Sequence, residues 1–195
     1  MDMTNLHRSP PMNQSKTDLG IVNESQLLRF GISAWRRPGV NVAEINVPAV
    51  RALGISTAGI FKTFWGLFQA EVDSGGVVSV REVWRELSVG PETNVITWAK
   101  SNSGIFKPPT SAEATFVGRI FAVPHFAQMI SAKAQMTGQP VADPFLIAAA
   151  KCCGGTVVTQ ERLKPNAAKI PNVCDHFKID YSTLEGFLKA KGWTF

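Results

Sequence analysis

The chain lacks most of what would assign it quickly. Of its 195 residues only 3 are cysteine and 3 histidine. Cys152 and Cys153 are adjacent, Cys174 stands apart, and no CxxC or HExxH spacing occurs. That excludes a disulfide framework and the common zinc sites, and it fits a reducing cytoplasm, with the paired thiols read as packed core. There is no P-loop, no GxGxxG and no GxSxG, so nothing points to those nucleotide-binding folds or to a serine hydrolase elbow. His125 and His176 have no partner at ligand spacing. No apolar run approaches the roughly 20 residues of a membrane span, and the opening "MDMTNLHRSPPMNQSKTDLG" is polar, without the apolar stretch of a secretory signal.

What is present reads as one globular domain behind a polar arm. Hydrophobic residues make up 45% of the chain and charged residues 18%, ordinary values for a chain long enough to bury a core. The net charge of +5 favours a polyanionic partner. Residues 1–41 carry little apolar periodicity and are expected to be a flexible arm or an extension, with the domain over 42–195. "VAEINV" (42–47) suits a first strand. "IFKTFWGLFQAEVD" places Phe61, Phe64, Trp65 and Phe68 at helical spacing, a core stripe. "VVSV" suits a strand feeding the helix "REVWREL", on which Glu82 and Glu86 share a face, as do Arg81 and Arg85.

Further helices are expected over "PETNVITWAKSN", over "TSAEATFVGRIF" behind a capping box from Thr110 to Glu113, and over "PHFAQMISAKAQM" with Pro124 in its first turn. "ADPFLIAAAKCC" is an apolar helix stopped by Gly154 and Gly155. "TVVT" and "KIDY" suit strands, "IPNVCDHF" a short helix, and "STLEGFLKAKG" a last helix with a capping box from Ser182 to Glu185. Short strands alternating with helices predict an α/β fold with a parallel sheet covered on both faces.

In such a sheet the functional crevice lies beyond the carboxyl ends of the strands. Asn46 ends one expected strand, Glu86 lies on the helix after another, Asp143 opens the apolar helix, and Glu161 follows "TVVT". Carboxylates gathered at one mouth repel each other unless a cation neutralises them. Oxygen donors without His or Cys point to magnesium or manganese, ions that steady phosphodiester displacement. Each acid also has a plainer reading. Asp143, before Pro144, suits a helix cap; Glu86 and Glu161 suit solvated charges beside Arg85 and Arg162. Arg162, Lys164 and Lys169 suit phosphate contact or a solvated loop.

"FKTFW", "VSVREVWREL", "ADPFLIAAAK", "GTVVTQE" and "AAKIPNVCDHF", in that order, resemble a little-studied bacterial subfamily of the PIN domains. The resemblance covers about residues 42–195. It implies a PIN-like three-layer α/β/α sandwich with a central, mostly parallel sheet. It also implies a magnesium- or manganese-dependent endoribonuclease, the toxin of a toxin–antitoxin pair, with RNA, a cognate antitoxin and a second copy of the chain as partners. By position, Glu86, Asp143 and Glu161 match the catalytic, metal-binding acids. Glu82 and Thr159 match supporting neighbours, and Arg81, Lys164 and Lys169 fall where RNA would pass. The departure is at the front. The family's first Asp falls on Asn46 in one register and on Gly31 in a rival one, and both lose that carboxylate. Impaired activity is the expectation that follows, with a binding module that does not cleave as the alternative.

Overall fold

A computed structural model describes residues 39–43, 60–89 and 94–194. The first strand, β1 (Asn41–Ala43), is followed by helix α1 (Ile60–Asp73), strand β2 (Val77–Val80) and helices α2 (Arg81–Val89) and α3 (Asn94–Ser101). A 3-10 turn (Ser103–Ile105) leads into β3 (Phe106–Lys107), then α4 (Ser111–Phe121), a second 3-10 turn (Pro124–Met129) and α5 (Ala132–Thr137). The chain continues through α6 (Asp143–Cys153), β4 (Thr156–Val158), α7 (Ile170–Phe177), β5 (Tyr181–Ser182) and α8 (Leu184–Ala190).

The five strands form one sheet in the order β3-β2-β1-β4-β5, and every pairing is parallel. Val42 stands opposite Val78 and Val157. Val42 and Val157 are fully buried, as a central parallel strand covered on both faces requires. Helices flank the sheet in a three-layer α/β/α sandwich, the fold class expected from the sequence. Helix α6 packs across β1, β2 and β4 and against α4, which explains why its sequence is almost wholly apolar. On α1, Phe64 and Phe68 are buried and stack at 5.6 Å, as the aromatic stripe predicted. Phe61 lies outside the residues whose side chains are described.

Glycines stop α6 for two distinct reasons. Gly154 takes a left-handed φ of 67°, where a side chain is strained. A Cβ on Gly155 would come within 2.6 Å of the Val40 carbonyl oxygen, so only glycine lets β4 start beside β1. The thiols divide by depth: Cys153 and Cys174 are buried and Cys152 is half-buried. Burial pushes the Cys174 thiol up to about 12.

Several local expectations change. The segment "PHFAQMISAKAQM" is not one helix, because Ser131 accepts a hydrogen bond from the Ala134 amide at 3.1 Å and caps a new start for α5. The last cap is Thr183, bonded by Gly186 N at 3.1 Å, since Ser182 is held in β5. The capping box at Thr110 and Glu113 forms in both halves. β3, only two residues long, was not expected from its sequence. The described part of the first strand is Asn41–Ala43, and the rest of "VAEINV" lies outside the described residues.

Candidate functional site

From the central β1 the chain runs outward to β2 and β3 on one side, while β4 and β5 lie on the other. The order therefore switches between β1 and β4, and in open parallel sheets the crevice outside the carboxyl ends at such a switch is the usual binding place. Three segments reach that edge: the first turn of α2 beyond β2, the start of α6, and the loop from Thr159 to Lys169 beyond β4.

Asp143 is not the cap of α6. Ala142 occupies that position without a side-chain cap bond, and Asp143 is the first helical residue, ahead of Pro144. A carboxylate in the first turn is favoured by the helix dipole. The cap of the sequence reading is replaced by a contact from another helix: Glu86 Oε1 accepts a hydrogen bond from Ala142 N at 2.7 Å. That bond spans 56 residues and ties α2 to the mouth of α6, immediately beside Asp143.

Glu82 and Glu86 share a helix but not an environment. Glu82 is only 4% exposed. Its Oε1 accepts from Arg81 Nε at 3.2 Å and Arg81 Nη2 at 2.9 Å, with Arg85 Nη1 at 3.6 Å. Its Oε2 has no hydrogen-bond partner among the described residues. Glu82 thus anchors two arginines from below, a role that spacing alone did not reveal.

Glu161 is engaged on both oxygens. Oε1 forms an ion pair with Lys169 Nζ, and Oε2 accepts from Ile170 N at 2.8 Å, at the start of α7. Its own amide donates to Thr159 Oγ1 at 3.0 Å. Thr159 is buried and tied to β5 through Ser182 O at 3.0 Å. Thr159 thus joins the start of the loop that carries Glu161 to β5. Lys164 is exposed, and its carbonyl accepts from Asn172 Nδ2 at 2.8 Å.

Asn46 and Gly31, the two candidates for the lost first acid, lie outside the described residues. Among the described residues no group of three or more His, Cys, Asp or Glu side chains is gathered so as to hold a metal ion. The donor chemistry of Glu86 and Asp143 suits a hard divalent cation. Glu161 suits one only by giving up Lys169.

No helix among the described residues is long and apolar enough to cross a membrane. No curated protein and no solved structure matches this chain. One family model does, over residues 57–195, a span that begins after β1 and takes in every other element named above. The chain belongs to that family, described as Domain of unknown function (DUF4411).

Proposed function

We propose that the carboxyl end of the sheet is a divalent-metal site for cleaving RNA, on the PIN-like plan that the sequence resembles. The observation that best supports it is the hydrogen bond from Ala142 N to Glu86. It brings one acid from α2 to the residue that precedes another, at the sheet edge where such folds bind their ligands. Glu86 and Asp143 would hold magnesium or manganese, with Glu161 joining by exchange of its lysine and Asn46 offering a neutral oxygen. The bound ion supplies an activated water and neutralises charge on the phosphodiester. Arg81, Lys164 and Lys169 steer the RNA backbone, and a net charge of +5 assists its approach. The same reading extends to a toxin held by an antitoxin in the cytoplasm.

The loss of the first Asp weakens such a site, because a neutral amide does not offset the cost of dehydrating the ion. Purified protein is expected to cleave single-stranded RNA slowly with manganese and not with EDTA, and an Asn46→Asp variant to cleave faster. Intact RNA with both proteins, across varied sequences, would rule out the nuclease.

A second reading is favoured by the Glu161–Lys169 ion pair. A lysine that neutralises an acid in this way suits a PIN-like fold that binds RNA or a protein without cutting. RNA that is bound tightly but stays intact at every manganese concentration is the outcome this reading expects.

A further inference from the structure

The strongest unassigned feature is a shallow groove beside α2, lined by Trp84, Arg85, Ser88, Val89, Gly138 and Pro140, with a volume of about 500 Å³. It lies next to the buried Glu82 and its two arginines. We infer that this groove is a stacking subsite for a base of single-stranded RNA, with Arg81 and Arg85 taking the adjoining phosphates. The inference rests on the RNA-binding part of the function proposed above and adds a place and a mode of recognition to it.

The site is built rather than incidental. Glu82 is nearly fully buried, and one of its oxygens, Oε1, holds Arg81 and Arg85, whose side chains are 40% and 56% exposed. A buried charge is costly unless it is paired, so holding these two guanidiniums is what the buried position accomplishes. One carboxylate under two arginines leaves one positive charge among these three side chains, carried by guanidiniums whose fork geometry suits phosphate. Trp84 is backed by the buried Phe106, with ring centroids 5.8 Å apart and planes at 44°. This contact holds the indole, which also lines the groove. Ser88 Oγ is bonded at 2.7 Å to the Trp84 carbonyl one turn back, which keeps it off the groove's ligand.

Size and charge choose the occupant. A stable protein partner covers about 800 Å² on each side, whereas a pocket of this volume is in the range that holds a small ligand or a nucleotide. An aromatic ring beside a cation pair matches alternating base and phosphate, and base stacking on an aromatic side chain is tolerant of sequence. An acidic peptide would use the arginines but not the indole.

The test is binding of a fluorescein-labelled, unstructured RNA decamer to the full chain in EDTA, read by anisotropy, so that no cleavage is involved. Trp84→Ala should weaken binding about tenfold or more, in the range found for one stacked base. Trp84→Phe should stay within about threefold of wild type, since the ring is retained. Arg85→Ala is exposed and keeps the fold intact; it should weaken binding and lower the slope of log affinity against log salt by about one. Unchanged binding in Arg85→Ala, or equal loss in Trp84→Phe and Trp84→Ala with both folded, would overturn the inference. Displacement of the RNA by polyglutamate at equal charge would do so as well, in favour of an acidic protein partner. Because the assay contains no metal, its failure is separable from failure of the nuclease reading, which is scored by cleavage.

Discussion

The two flanks of the sheet's carboxyl edge treat a carboxylate differently. On the flank built by α2 and α6, Glu86 is bonded to a backbone amide and faces the first turn of the neighbouring helix. On the flank built by β4 and α7, Glu161 carries a lysine on one oxygen and the Ile170 amide on the other. Both residues are glutamates, Glu86 on the second turn of the helix after β2 and Glu161 in the loop after β4. A backbone amide occupies one lone pair of the Glu86 carboxylate at the start of α6, the mouth proposed for the ion. A lysine balances the charge and ties the 160–169 loop to its helix, which suits a structural clamp.

The same substitution on the two flanks should separate these roles. Glu86→Gln still accepts a hydrogen bond from Ala142 N, so the melting temperature should hardly move. Manganese-dependent cleavage should fall on the order of 100-fold, as expected on losing a charged ligand. A variant as active as wild type would place the chemistry elsewhere. Glu161→Gln should do the reverse. It removes an ion pair and a charge-assisted bond at a helix start, at a cost of about 1–2 kcal/mol, or roughly 3–6 °C in Tm for a chain of this size. An unchanged Tm would show that the clamp stabilises nothing.

The clamped flank also carries a buried thiol, and pH provides a test there. Burial raises the Cys174 thiol on α7 from its ordinary 9.0 to about 12. Between those values the unfolded chain has released a proton that the folded one retains, so the unfolded state is favoured as pH rises. This stabilising contribution is complete below pH 9 and is lost by about pH 12. Thermal melts of wild type should fall across that window more steeply than those of Cys174→Ala, and parallel curves would contradict the assignment.

Much of the fold was legible because its determinants are local. The all-apolar run "PFLIAAA" could only be a helix covered on several sides, and α6 spans three strands. β-branched "VVSV" and "TVV" form β2 and β4, and the paired glycines mark a stop and a close approach. β3 escaped because two residues carry no period, and the cap of the last helix slipped by one because Ser182 and Thr183 are both good caps. Of the site, the positions of Glu86, Asp143 and Glu161 along the elements were legible. Their partners were not: Ala142 and Ile170 are backbone donors with no signature in sequence, and nothing in the spacing pairs Lys169 with Glu161. Glu82 went unrecognised as an anchor because helical spacing gives a shared face, not a depth. At the front, the described part of β1 is Asn41–Ala43, and Asn46 lies outside the described residues.

The central claim is the proposal that the flank of α2 and α6 holds a divalent ion through Glu86 and Asp143, and a calorimetric titration with manganese tests it most directly. Wild type should bind at micromolar to submillimolar concentration. Asp143→Asn, with an unchanged Tm, should show no saturable heat, while Glu161→Gln should still bind, because its acid is the clamped one. Superimposable isotherms for wild type and Asp143→Asn, or no heat from wild type at millimolar manganese, would contradict the account.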